Sequence, residues 1–183
     1  HLAARRQQGL RMNLNFLGEA LLGEREARLR QDKYLRALES PDVEVLSVKI
    51  STIDSQILPV ARADTLARLC DRLEPLYRAA ARSTFTAADG RGVSKLLYLD
   101  MEEYRDLSLT AEAFMRTLAR PGLERVRAGI ALQAYVPDSF SWQRRISEWA
   151  RGRVAAGGEP VTIRIVKGAN MEMERIDAAL HGW

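Results

Sequence analysis

The sequence holds one cysteine, Cys70, and two histidines, His1 and His181, among 183 residues. A single cysteine excludes a disulfide framework within the chain. It lies in the apolar run "TLARLCDRL" and reads as a small core residue. Histidines at opposite ends give no cluster with metal-ligand spacing, so no metal site is expected. No apolar run reaches the ~20 residues of a membrane-spanning helix. The N-terminus lacks the apolar core of a secretory signal, and the expected location is cytoplasmic. Lysine and arginine number 28 against 24 acidic residues, a net charge of +4. These charges intermingle along the chain. There is no lysine-rich block and no basic stripe interleaved with aromatics, so no nucleic-acid partner is expected. A glycine-rich dinucleotide fingerprint is missing too: "NFLGEALLGE" after the first strand has glycines at the wrong spacing.

What is present is alternation. Five short apolar segments read as strands: "LRMNLNF", "VEVLSVKIS", "KLLYLDM", "AGIALQAYV" and "VTIRIVK". Each is followed by a segment with helical periodicity: 17–40, 65–85 (which Pro75 is expected to disturb), 110–120 (stopped at Pro121-Gly122), 138–157, and a last one opening at Met171. The segment "ADGRGVS" reads as a loop. Strands alternating with helices predict an α/β fold with a parallel sheet.

The polar residues within the strands narrow this further. Side chains alternate across a strand. One face carries Asn13, Asn15, Ser47, Lys49, Tyr98, Asp100, Gln133, Tyr135, Thr162 and Arg164. The other carries Leu14, Leu46, Val48, Leu97, Leu99, Leu132, Ile163 and Ile165. An open sheet wound on both sides would be apolar on both faces. One apolar and one polar face instead predict helices outside and a site inside, the (βα)8 TIM barrel, with chemistry at the C-terminal ends of the strands. A complete barrel takes about 250 residues. The expectation is therefore a partial barrel, strands one to five with their helices, in a single domain over 1–183 that is cut at both ends. Such an arc leaves two sheet edges open, and this piece is not expected to form a competent site by itself.

Arg164 within "VTIRIVK" is costly in a buried strand unless paired. An inward Arg164 can meet a ligand and the carboxylate of Asp100; the bland alternative is a pair that only fixes the fold. Lys49 takes an inward position as well, either as a Schiff-base nucleophile or as a clamp for a substrate carboxylate; the bland alternative is a lysine snorkelling out at the strand end. Gln133 offers a donor and an acceptor. Asp100 is singled out from the acids of "YLDMEEYRD" because it falls on the inner face; its followers Glu102, Glu103, Arg105 and Asp106 read for the most part as solvated loop or helix N-terminal charges. "KGA" (Lys167, Gly168, Ala169) before a helix would let an anion approach backbone amides.

Taken together, "NLNFLGEALLGE", "LSVKIS", "YLDMEEYRDL", "AGIALQAYVPDS" and "IRIVKGANMEME" resemble the FAD-dependent proline dehydrogenases, most closely the dehydrogenase barrel of the bifunctional proline-utilisation enzymes. The resemblance implies oxidation of L-proline to 1-pyrroline-5-carboxylate, the first step of proline catabolism to glutamate, with FAD as cofactor and a quinone as electron acceptor. It implies roles by position: Arg164 near the flavin N5 edge, Gln133 hydrogen-bonded to the isoalloxazine, and Met101, Val166, Lys167, Gly168 and Ala169 lining the cofactor. Lys49 would face the substrate carboxylate, Asp100 would organise the substrate floor, and Glu19 and Asn170 would lie at the site mouth. It also implies a fused aldehyde dehydrogenase domain in the parent protein and at most peripheral association with the inner membrane. The sequence departs from the family at Asn170-Met171, where many members carry an aromatic pair, and the family's paired arginines of the eighth helix have no counterpart. Two other readings stand beside this one: a Schiff-base aldolase or lyase using Lys49 or Lys167, and a barrel retained as a non-catalytic scaffold.

Overall fold

The computed structural model describes residues 2–18, 21 and 23–182. In chain order the elements are α1 (Leu2–Gln7), β1 (Asn13–Asn15), α2 (Glu24–Glu39), β2 (Val45–Lys49), α3 (Arg62–Arg82), β3 (Thr84–Thr86), β4 (Gly92–Ser94), β5 (Leu96–Asp100), α4 (Leu107–Leu118), β6 (Arg127–Gln133), α5 (Asp138–Ala155), β7 (Val161–Val166) and α6 (Met171–His181). Five strands pair in the order β1-β2-β5-β6-β7, and every pairing is parallel. Adjacent positions in the sheet follow chain order, with helical crossovers, as a barrel arc requires.

The two faces divide as the alternation predicts. Leu46, Val48, Leu97, Leu99, Ala128, Ile130 and Leu132 are all buried on one side. Against them lie Tyr34 and Leu38 of α2, Leu69, Leu73 and Leu76 of α3, Phe114 of α4 and Ile146 of α5, in one continuous core. Each fully buried leucine or phenylalanine contributes about 1.5–3 kcal/mol, so this helix-covered face supplies most of the driving force. The opposite face has a strict register: Asn15, Ser47, Tyr98, Gly129 and Thr162 lie side by side across all five strands. One step further along, Lys49 neighbours Asp100 and Ala131 neighbours Arg164.

Glycine is required in the first of these rows. A Cβ on Gly129 would stand 2.3 Å from Tyr98 Cε1, because the tyrosine ring lies flat over the bare backbone. The Arg164 guanidinium carbon is 5.0 Å from the centre of the same ring. Gly129→Ala is therefore expected to displace Tyr98 and, through it, Arg164. The expected loss is ~1–3 kcal/mol of overpacking strain, checked by urea unfolding of the variant beside the wild type.

Three expectations need correction. The helix expected over 17–40 begins only at Glu24. Arg30 Nη1 donates to the Leu17 carbonyl at 3.1 Å, and a Cβ on Gly18 would strike Arg30, so residues 17 and 18 pass over α2 instead of extending it. Pro75 does not interrupt its helix, which runs unbroken from Arg62 to Arg82. A proline in a helix interior costs ~3 kcal/mol or more, and the burial of Leu69, Leu73, Leu76 and Tyr77 on the same helix outweighs that cost. The stretch read as a loop ends in β4, which pairs antiparallel with β3, Phe85 opposite Val93; Thr84 and Phe85, read as the end of a helix, are strand. Three-residue strands are too short to show a period.

Candidate functional site

Parallel strands end together, so the side chains at their C-terminal ends converge. Asp100, the last residue of β5, is the centre of this convergence and is only 7% exposed. Its Oδ1 is ion-paired with Arg164 of β7 and accepts a hydrogen bond from Ser47 Oγ of β2 at 3.3 Å. Its Oδ2 accepts from Asn15 Nδ2 of β1 at 3.2 Å. Four strands thus meet at one carboxylate. Burial pushes the Asp100 carboxyl above its ordinary value, and Arg164, Ser47 and Lys49 oppose that push.

Around this centre sits a second group. Lys49 Nζ is 3.1 Å from Glu102 Oε1, and Ser51 Oγ donates to Glu102 Oε2. Gln133 Nε2 donates to the Glu102 carbonyl at 2.9 Å and lies 3.0 Å from Tyr135 Oη. Asn170 Nδ2 donates to the same carbonyl, also at 2.9 Å. Asn170 adopts the left-handed conformation with φ of 64°, which asparagine tolerates better than most residues. That conformation turns the chain from β7 into α6. Two buried polar atoms of the inner face have no partner among the described residues: Gln133 Oε1, an acceptor, and Arg164 Nε, a donor. A cavity of about 590 Å³ opens beside the group, lined among others by Lys49, Ser51, Glu102, Asp106 and Asn170.

The sequence reading took this run mostly as solvated loop or helix N-terminal charges; Asp106 does stand at the N-terminus of α4, but neither it nor Glu102 is freely solvated. Glu102 is tied by four partners, through side chain and backbone alike. Asp106 is 6% exposed, and burial, reinforced by Glu103, Glu102 and Glu174, pushes its carboxyl up to about 6 against the pull of Arg105. From sequence, neither could be told from the exposed Glu103 beside them. A carboxyl that titrates higher when folded than when unfolded favours the folded state in acid. The cost of ionising it in place is absent below about pH 4 and fully present above about pH 6, at up to ~3 kcal/mol. Asp106→Asn is accordingly expected to stabilise the protein at pH 7 by ~1–2 kcal/mol and to flatten its stability between pH 4 and 6. Thermal midpoints measured across that range check it.

Of the other positions singled out in sequence, Val166 ends β7 beside Gln133 of β6 and is half-buried. Lys167, Gly168 and Ala169 are exposed in the connection to α6. Met101 follows β5 directly after Asp100 and is 7% exposed, packed into the edge of the core. Glu19 lies outside the described residues. Among the described residues no cluster of metal-ligating side chains occurs, and no helix is long and apolar enough to cross a membrane.

Comparison with known proteins follows the same lines. The family described as proline dehydrogenase matches residues 1–183. No curated protein matches the chain. Among solved structures, proline utilization A from Corynebacterium freiburgense is 40% identical over the whole chain, with a TM-score of 0.89. Proline utilization A from Bdellovibrio bacteriovorus, inactivated by N-propargylglycine, is 29% identical over the whole chain with a TM-score of 0.84. A Bradyrhizobium japonicum proline utilization A variant is 26% identical over 97% of the chain, with a TM-score of 0.78. The chain spans about a fifth of the length of these relatives: 18%, 20% and 18% respectively.

Proposed function

Because the chain belongs to the proline dehydrogenase family, we propose that the polar inner face of its sheet is the floor of a site that binds FAD and oxidises L-proline to 1-pyrroline-5-carboxylate, with a quinone accepting the electrons. Residues 1–183 serve, in this reading, as one domain, the N-terminal and central part of the barrel. The observation that carries the reading is the pair of unpartnered atoms, Gln133 Oε1 and Arg164 Nε. A buried polar atom left unpaired costs about 1–3 kcal/mol. An acceptor and a donor both left open on one face suit a ligand whose edge alternates donors and acceptors, and the polar edge of an isoalloxazine does so. FAD, when bound, supplies the two-electron acceptor that proline oxidation needs.

The chain's own residues then have defined tasks. Arg164 is a fixed cation held by Asp100, beside the place where negative charge would develop; a preorganised charge of this kind costs no reorganisation during reaction. Gln133 orients the cofactor edge through its free oxygen. Lys49 presents an ammonium for the substrate carboxylate. Asp100 keeps Arg164, Ser47 and Asn15 in one arrangement and so shapes the substrate floor. Met101, Val166, Lys167, Gly168 and Ala169 line the cofactor, and Glu19 and Asn170 lie at the mouth. A fused aldehyde dehydrogenase domain, a cytoplasmic location and peripheral membrane contact for quinone reduction complete the proposal.

The test is spectroscopic. The full-length protein is purified and its visible spectrum recorded, and L-proline is then added without oxygen. A yellow flavin spectrum that bleaches supports cofactor, substrate and direction together. A folded protein that takes up no supplied FAD overturns the reading, and a bound flavin indifferent to proline overturns the substrate.

A further inference from the structure

We propose that Glu102 is a positioning residue of this site, acting through Lys49 and Gln133. The inference rests on the functional reading above for what the site does, but its geometry is independent of it. Glu102 stands two residues beyond Asp100 and closes the convergence of strands from above. Its carboxylate holds Lys49 with one oxygen at 3.1 Å and Ser51 with the other, so its partners are the last residue of β2 and one in the turn that follows it. Its carbonyl accepts Gln133 Nε2 from β6 and Asn170 Nδ2 from the start of α6, each at 2.9 Å. Asn170 is fixed in turn by Glu174 Oε1 at 3.2 Å, which also accepts the Tyr104 backbone N–H at 2.7 Å.

Two consequences follow from hydrogen-bond chemistry. First, a lysine side chain has four rotatable carbons and no intrinsic aim. The ion pair with Glu102, at side-chain exposures of 28% and 20%, selects one direction for it, toward the cavity rather than out past the strand end. Secondly, a glutamine amide can turn over, exchanging its oxygen and nitrogen. Here the Glu102 carbonyl and Tyr135 Oη both lie within reach of Nε2, and an amide oxygen in that place would face the carbonyl oxygen. That repulsion fixes the amide so that Oε1 is the atom left open. The carboxylate ties to Lys49 and Ser51 hold the carbonyl where it can do this. Glu102 thus sets both the direction of the substrate clamp and the sense of the cofactor contact, touching neither ligand.

The test compares Glu102→Ala with Glu102→Gln in the full-length protein. Glutamine keeps an oxygen for Lys49 and a polar group for Ser51; alanine keeps neither. The first readout needs no cofactor or turnover: the rate at which acetic anhydride modifies Lys49, followed by mass spectrometry. The alanine variant is expected to be modified severalfold faster and the glutamine variant close to the wild-type rate. The second readout is kinetic. The alanine variant is expected to raise KM for L-proline about tenfold with a smaller change in kcat, to shift the visible spectrum of the bound flavin, and to be rescued on both counts by glutamine. Unchanged Lys49 modification in the alanine variant overturns the proposal, even where the wild-type flavin still bleaches with proline. Alanine and glutamine variants equally impaired at equal thermal midpoints overturn it as well. Faster Lys49 modification in a protein that does not oxidise proline supports the positioning role while overturning the functional reading.

Discussion

Replacing Arg164 by methionine is expected to lower proline-dependent flavin reduction by ~10²–10³-fold, the range for losing one preorganised charge or donor at a reacting centre. Stability is expected to fall as well, by about 2 kcal/mol. Removing one partner of a buried pair costs ~3–5 kcal/mol, and this arginine is 37% exposed in its side chain, so solvent screening reduces the figure. The two losses have different causes, and a second substitution separates them. Asp100 without Arg164 is a carboxylate that burial already disfavours as an anion. Asp100→Asn removes that charge; its amide oxygen can keep the bond from Asn15, and its amide nitrogen can donate to Ser47 Oγ once that hydroxyl rotates. The double variant is therefore expected to regain stability to within ~1 kcal/mol of the wild type and to remain inactive. A double variant that regained both would mean that the pair serves the fold alone.

Arg153 carries the second large effect, and it lies at the other end of the barrel arc. Its guanidinium donates to five main-chain carbonyls: Glu159 at 2.9 Å, Leu118 at 2.8 Å, Leu123 at 2.6 Å, Glu124 at 2.8 Å and Val126 at 3.3 Å. These carbonyls belong to the end of α4, the connection into β6 and the residue two before β7. One side chain of α5 therefore ties together the entry points of the two strands that carry Gln133 and Arg164. Its pKa is lowered by burial, a cost offset by carbonyl partners for all three of its nitrogens. Arg153→Met leaves those carbonyls with partial access to water through the opening beside Trp149 and Gly152. At about 1 kcal/mol net for each well-formed bond, less what water restores, the expected loss is ~3 kcal/mol. For a domain of this size that lowers the thermal midpoint by ~6–12 °C. Arg153→Lys is expected to recover less than half, since an ammonium has three donors and no fork. Calorimetry of both variants checks the ranking.

How far the sequence reached depends on the range of the interactions. The five parallel strands were legible because a strand's apolar alternation is local, and the polar face was legible from Asn15, Ser47, Asp100 and Arg164 falling on one parity. The pairing of Arg164 with Asp100 followed from the cost of an inward cation. Three features were not legible. Leu17 and Gly18 open a run of leucines and glycines that reads as helical, yet these two residues are held across α2 by Arg30. Glu102 and Asp106 sit in a run of charges that looks solvated, and their burial comes from Gln133, Asn170 and the start of α4. Arg153 is one arginine among several on α5, and nothing in its neighbourhood in sequence marks carbonyls that lie about thirty residues earlier. Local pattern discloses which face a side chain takes; it does not disclose which backbone atoms arrive there.

The central claim is that the open acceptor of Gln133 and the open donor of Arg164 are completed by a flavin edge. The measurement that tests it most directly is a high-resolution structure of the full-length protein isolated with its bound cofactor. The account predicts isoalloxazine polar atoms within hydrogen-bond distance of Gln133 Oε1 and Arg164 Nε, with Arg164 still paired to Asp100. A flavin bound elsewhere, or those two atoms satisfied by water or by another part of the chain with no flavin beside them, would contradict it.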